Sequence, residues 1–326
     1  MELWRTCFND TEEFIRFYFE KKYEDWTTVI YKEKQKVVAS LQMLSYPMTC
    51  FGTEIETSYI SGACTHPDLR GKGIMKDLLI DSFRRMSIRN IPLSTLIPQE
   101  PWLFDYYSKM GYASIFSYSW EHYIMSPQEQ APDEPQPSET ELFAYFDSKM
   151  KMRPMCVQHP YADFLIVLED LQMSDGKLVC IRDEQNALCG IAFTLAGNNC
   201  VRVYEILTNA PLQKHRLLQK VADEWGISNI MCKVEAPDGT GVPGGMARII
   251  NAQYILHDYA SSKPDLNLII QVKDEYLPEN NGFYLLTDGM CLKQDVPVRN
   301  ADRIMTIREL TTYVFGEQAF ISLMLD

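Results

Sequence analysis

Thr65-His66-Pro67-Asp68-Leu69-Arg70-Gly71-Lys72-Gly73-Ile74-Met75-Lys76 is the stretch on which the fold turns. Residues 54–64, just before it, read as a strand. After it Met75, Leu78, Leu79, Phe83 and Met86 recur at steps of three and four, which predicts a helix over 74–85. A strand feeding through a glycine-bearing loop into a helix start leaves backbone N–H groups without intrahelical partners. The positive end of the helix dipole lies at the same place, so the junction suits a pyrophosphate. Gly71 and Gly73 permit positive φ and close backbone approach, while Arg70 and Lys72 add positive charge. Two familiar phosphate motifs fail here. A Walker loop would need glycine at His66 and a hydroxyl residue at Gly73, and a dinucleotide fingerprint from Gly71 would need glycine at Lys76.

Outward from this loop the N-terminal part reads as mixed α/β. Thr11-Glu12-Glu13 is a helix start, with Phe14, Phe17, Tyr18 and Tyr23 near helical spacing behind it. Residues 27–31 and 37–44 look like strands joined by a charged turn. Downstream come a short strand over 92–97 and a short helix over 102–110 ended by Gly111. Residues 178–182, 187–194 and 201–207 read as strands and 211–225 as a helix, repeating part of this order. The tail carries strand signals at 266–272, 283–287 and 290–293, and a helix beginning near Thr306. The stretch from Ser126 to Pro137 has four prolines and almost no apolar side chains, so it reads as a linker. Pro and Gly over 236–245 mark a second break, where they deny helix and ladder alike. The expected division is a domain at 1–126, a linker at 127–137, a second domain at 138–243 and a small tail domain at 244–326 that leans on its neighbours.

Composition narrows the function. With 46% hydrophobic and 23% charged residues the chain has the balance of a soluble globular protein. Its formal net charge of −13 argues against general nucleic-acid binding, which needs cations to neutralise phosphates. The first 125 residues hold 14 Lys and Arg against 16 Asp and Glu, so most of the acidity lies outside the segment assigned to chemistry. An acidic surface could draw cationic substrates or simply aid solubility. Nine scattered cysteines without a Cys-x-x-Cys pair favour reduced thiols, and five well-separated histidines speak against a metal site. The opening Met1-Glu2-Leu3-Trp4-Arg5 has no signal-peptide pattern, and no run approaches 18 apolar residues. A cytoplasmic protein away from the membrane is the expectation.

Arg70-Gly71-Lys72-Gly73-Ile74-Met75 resembles the pyrophosphate loop Arg/Gln-x-x-Gly-x-Gly/Ala of the GNAT acyltransferases, with Met75 departing from the last position. Tyr107-Ser108-Lys109-Met110-Gly111-Tyr112 is similar to that family's downstream Tyr-x-x-x-Gly-Phe/Tyr element. Gly245–Asn251, residues 272–282 and residues 310–316 resemble a sterol-carrier-protein-like domain. Together they point to the Eis-like (enhanced intracellular survival) branch: a GNAT domain, a second GNAT-like domain and a sterol-carrier-like tail, an α+β fold throughout. The middle segment has Thr208-Asn209-Ala210-Pro211-Leu212-Gln213 before its helix and no glycine pair, so it should hold no cofactor.

The resemblance implies acetyl-CoA as co-substrate, with no metal, and direct transfer to a primary amine, either a small molecule or a peptide. Ala63, Cys64 and Thr65 would hold the pantetheine arm and offer an N–H to the oxyanion; Arg70, Gly71, Lys72, Gly73, Ile74, Met75 and Lys76 would hold the pyrophosphate. Cys64 reads better as a small buried strand residue than as a nucleophile. Tyr107 would protonate the departing thiolate, since a phenol is protonated at neutral pH and can still donate. The α-carboxylate of Asp326 would accept the amine proton, although the chain ends differently from relatives that finish in an aromatic residue. Phe17, Glu20, Tyr23, Glu24 and Trp26 would border the acceptor. Their mix of aromatics and carboxylates suits a polyamine, an aminoglycoside or a lysine side chain, and equally an amphipathic helix with a solvated acidic face. A homo-oligomer is compatible with the resemblance. The competing reading is a non-catalytic acyl-CoA-binding or lipid-binding regulatory protein.

Overall fold

The chain opens with two helices, α1 (Glu2–Cys7) and α2 (Glu12–Lys21); the second starts where the Phe14 N–H donates to the Thr11 hydroxyl. The computed structural model describes residues 1–128, 136–236, 241–297, 299–316 and 319–325. They fall into two units, one of Met1–Phe116 with Gly244–Ala319 and the other of Ser117–Pro243 with Phe320–Leu325. The class is α+β.

In the first unit β1 (Thr28–Glu33), β2 (Lys36–Cys50) and β3 (Thr53–Thr65) form an antiparallel meander. Its two tight turns use positive φ at Lys34 and Gln35 and at Phe51 and Gly52, the backbone that two-residue hairpins require. Helix α3 (Ile74–Ile88) then returns the chain to β4 (Leu93–Leu96), parallel to β3. Leu78, Leu79, Phe83 and Met86 are the buried stripe of α3, packed against Leu41, Met43 and Ile60 of the sheet. Helix α4 (Pro101–Ser108) follows, and β5 (Ala113–Ile124) begins in this unit and passes into the second at Ser117.

The second unit repeats the order. After α5 (Glu139–Met150), the two-residue β6 (Cys156–Val157) and α6 (Tyr161–Met173) come β7 (Lys177–Arg182), β8 (Leu188–Gly197) and β9 (Cys200–Thr208). These three strands are antiparallel, α7 (Pro211–Trp225) follows, and β10 (Asn229–Glu235) lies parallel to β9 and antiparallel to β5.

The tail departs from expectation. Residues 236–245 were expected to break all regular structure; residues 237–240 lie outside those described, but β11 (Val242–Ile249) runs straight through Pro243, Gly244 and Gly245. Pro243 stands near the start of the strand, ahead of the ladder with β4 that runs from Met246↔Leu96 to Ile249↔Leu93, so its missing N–H costs that ladder nothing. The stretch expected as a small tail domain that leans on its neighbours groups, up to Ala319, with Met1–Phe116 in the first unit. Behind it α8 (Ala252–Ser261) starts on an Asn251 cap. The strands β12 (Leu268–Lys273), β13 (Gly282–Thr287), β14 (Met290–Gln294) and β15 (Arg303–Thr306) make a four-stranded sheet in the order β14-β13-β12-β15. A Thr306–Glu309 capping box starts α9 (Ile307–Phe315). The expected linker, 127–137, is described only at its two ends.

Candidate active site

The parallel ladder between β3 and β4 is short. It runs from Thr57↔Leu93 to Tyr59↔Thr95, and β4 ends one residue later while β3 continues to Thr65. Ala63, Cys64 and Thr65 therefore keep β2 on one side and have an open edge on the other. A bulge sharpens this divergence. Between Ser40↔Cys64 and Gln42↔Ser61 the strand β3 carries one extra residue, with Gly62 at φ +58°. A side chain there would meet the Trp4 ring at 2.3 Å, so only glycine admits the approach of α1.

The cleft that opens at this edge has a volume of about 840 Å³, within the range of pockets that enclose a drug-sized ligand. Its walls include Ala63, Cys64, Thr65, Arg70, Gly71, Gly73, Ile74, Met75 and Lys76; of the ten expected cofactor residues only Lys72 is absent from the lining. Gly71 and Gly73 take φ of +76° and +84°, and both face open space. Gly73 stands directly before α3, so the free amides of that helix start lie at the cleft. The Arg70 Nε donates to the Thr65 carbonyl at 3.1 Å, tying the loop to the end of β3. The Thr65 hydroxyl is buried without a protein partner, an orphan a ligand could satisfy. Lysine, arginine, open glycine backbone and helix amides together fit a pyrophosphate joined to a long thin arm.

Across the cleft stands α4. Tyr107 is 7% exposed and its ring touches those of Tyr106 and Tyr112, at centroid distances of 5.3 and 5.7 Å. Burial raises the Tyr107 phenol well above its ordinary value and pushes Tyr106 up to about 12. Both tyrosines line the cleft, Tyr107 as the deeper of the two.

Several lining residues were not singled out from sequence. Cys7 and Phe8 enter from α1, Gln99 and Glu100 from the loop before α4, and Trp102 and Leu103 from the helix itself. Trp102 is 65% exposed, an unusual position for a large ring. The Cys7 thiol is brought down to about 7, chiefly by its interaction with Cys64 and, against burial, by Arg70; its Sγ lies 3.5 Å from the Thr65 carbonyl. Cys64 moves the other way, raised by Cys7 and by burial, which suits a packing residue better than a nucleophile.

The acceptor residues expected on 17–26 are not brought together. Phe17 is buried on the inner face of α2, Glu20 and Glu24 are exposed, and Trp26 lies under the Arg89 guanidinium. Tyr23 alone reaches a second cavity of about 420 Å³, walled also by Trp4, Phe19, Ser40, Gln42 and His66. Ser40 on that wall lies 3.6 Å from the Cys64 sulfur on the first, so the two hollows share a partition. Asp326, the expected proton acceptor, lies outside the described residues. Among the described residues no group of three His, Cys, Asp or Glu side chains could hold a metal ion, and no helix is long and apolar enough to cross a membrane.

A strand with a free edge, a glycine loop on a helix start and a buried tyrosine thus meet in one cleft. Residues 1–115 match the family described as acetyltransferase (GNAT) domain. The fold is shared along nearly the whole chain with solved structures of low identity. Eis1 from Mycobacterium abscessus superposes with a TM-score of 0.70 at 12% identity, over 94% of this chain and 86% of that one. A GCN5-related N-acetyltransferase from Anabaena variabilis gives 0.74 at 17%, over 97% and 86%. A probable N-acyltransferase from Enterococcus faecalis gives 0.74 at 12%, over the same shares. No curated protein matches the sequence.

Proposed function

We propose that the protein transfers an acetyl group from acetyl-CoA directly to a primary amine, in the cleft between β3 and β4. The observation that carries this reading is the alignment of three features in one cleft: the open edge of Ala63–Thr65, the Gly71–Gly73 loop at the start of α3, and the buried Tyr107 opposite. The loop amides with Arg70 would hold the pyrophosphate, and the β3 edge would hold the pantetheine arm as an added strand. An N–H of that edge would donate to the oxyanion as the thioester is attacked. Tyr107 would give its proton to the CoA sulfur as the carbon–sulfur bond breaks and would regain one from the amine nitrogen through water; its raised phenol suits the task because burial raises the CoA thiol in the same space as well. The amine would come from the second cavity, past Ser40, Gln42 and His66.

The test is release of free thiol from acetyl-CoA against a panel of amines: polyamines, aminoglycosides, amino-terminal and lysine-bearing peptides. Turnover with at least one amine is expected. Tight acetyl-CoA binding with no turnover across the panel would instead make the protein a non-catalytic acyl-CoA sensor.

A further inference from the structure

Arg248, on β11, is fully buried, and every branch of its guanidinium is engaged. Nη2 donates to Asp274 Oδ1 at 2.7 Å, Nη1 to the Ile249 carbonyl at 2.9 Å and Nε to the Met110 carbonyl at 3.0 Å, and the plane lies over the Phe83 ring. Asp274 is fixed in turn, taking the Tyr276 and Leu277 amides on Oδ1 and the Asn280 side chain on Oδ2. A buried ion pair gives little net stability over well-packed apolar groups, so its place in the fold calls for another account.

The Met110 carbonyl supplies one. The Met110 N–H donates to the Tyr107 carbonyl at 2.9 Å, and the Tyr112 N–H reaches the same carbonyl at 3.1 Å. Gly111, at φ +87°, completes a Schellman-type end to α4 with its N–H on the Ser108 carbonyl. A side chain at Gly111 would stand 2.9 Å from Ile307 and 3.1 Å from the Arg248 Nε, so the tail packs directly on this turn. The guanidinium thus holds the carbonyl of the residue whose amide holds Tyr107.

We propose that Arg248, fixed by Asp274, is a positioning residue for acyl transfer: it locks the last turn of α4 and thereby aims the Tyr107 phenol into the cleft. The tail is on this account a working part of the site rather than a lipid carrier. The inference rests on the reading of Tyr107 as the group that meets the thioester sulfur; neither Arg248 nor Asp274 lines the cleft itself.

A double-mutant cycle tests it. Arg248→Lys and the milder, isosteric Asp274→Asn are each made alone and with Tyr107→Phe, and kcat, KM for acetyl-CoA and melting are measured. Loss of aim should lower kcat by roughly 10- to 100-fold, with KM for acetyl-CoA held within about twofold, because the glycine loop is untouched. In the Tyr107→Phe background the same substitutions should cost less than about twofold more, since no hydroxyl is left to aim. Equal losses in both backgrounds, or failure of both Arg248→Lys and Asp274→Asn to fold, would make the pair a plain structural element and overturn the proposal. A silent Tyr107→Phe in an active enzyme would remove the tyrosine reading beneath it. A damaging Tyr107→Phe with an additive cycle would remove the clamp alone.

Discussion

Both units send the third strand of an antiparallel set into a 15-residue helix and then into a parallel strand, yet the two junctions are built for opposite ends. In the first, residues 66–73 stand between β3 and α3, with two glycines at positive φ and the helix amides left open. In the second, only Asn209 and Ala210 separate β9 from α7, and Pro211 in the first turn removes an N–H outright. The strands differ in the same sense. Each bulges just past its parallel ladder, but where β3 places Gly62 and then a free edge, β9 places Tyr204 and then Glu205, which is bound by Arg153 through two bonds of 2.8 and 3.0 Å and by the Ser322 hydroxyl at 2.6 Å. One scaffold leaves the strand edge open; the other sets an ion pair beside its strands, with Arg153 between Glu205 and Glu235. Loop length and the residue at the bulge decide which.

If chemistry belongs to the first unit, the largest effect should follow from Tyr107→Phe. It removes one hydroxyl from a packed ring, so acetyl-CoA affinity should hold while kcat falls by about 10²- to 10⁴-fold. Tyr106→Phe is the matched control and should be nearly silent. Steady-state kinetics of both decide it, and the reverse pattern would mean that the half-buried neighbour is the acid.

The ion pair of the second unit is a stability feature in this comparison. Arg153→Met leaves Glu205 buried and uncompensated, which should cost about 3–5 kcal/mol in denaturant unfolding. Acetyl-CoA affinity below the transition should be unaltered, because Glu205, Glu235 and Phe320, against which Arg153 packs, belong to the second unit. A loss of affinity at unchanged stability would contradict the division of labour.

A smaller effect is expected from the open junction. Acetyl-CoA at a hundred times its Kd should stabilise the protein by about 2.7 kcal/mol, and Arg70→Ala with Gly73→Asp should abolish that gain. Gly73 faces open space, so the added carboxylate meets no atom of the fold, and the strain of a side chain at φ +84° is read separately from the melting of the same variant without ligand. Calorimetric titration should find one acetyl-CoA per chain; two equivalent sites would show the second junction competent after all.

These contrasts were legible in the sequence to very different degrees. The glycine loop, the stripe of α3 and the bounds of α7 follow from local rules, since turn chemistry and helical period act within a few residues. The rest of the cleft wall and its supports did not follow. Cys7 meets Thr65 across 58 positions and Arg248 meets Met110 across 138, and neither pairing leaves a local trace. β11 was misread for a related reason: Pro243-Gly244-Gly245 looks like a breaker in isolation, and distant strand partners, β4 among them, make it a strand. Composition over 17–26 names types of side chain but not the faces they occupy, and Phe17 points into the core.

The finest distinction lies between two thiols. Cys7 in the first unit and Cys200 in the second are the two cysteines that are not buried, and only Cys7 lines the cleft. With its thiol lowered to about 7, Cys7 releases its proton below the ordinary thiol range, because the Cys64 interaction and the Arg70 charge favour the thiolate over the cost of burial. Alkylation by iodoacetamide should therefore rise with pH through about 7 and level off above it, as the thiolate is the species that reacts. The sign carries over to stability: between about 7 and the usual thiol value the unfolded chain binds more protons than the folded one, so this group favours folding increasingly as pH rises across that window. Acetyl-CoA seated on Arg70 and the β3 edge should slow labelling of Cys7 severalfold and leave Cys200 unaffected. Peptide-resolved mass spectrometry separates the two sites, and equal protection of both thiols, or of neither, would place the ligand somewhere other than this cleft.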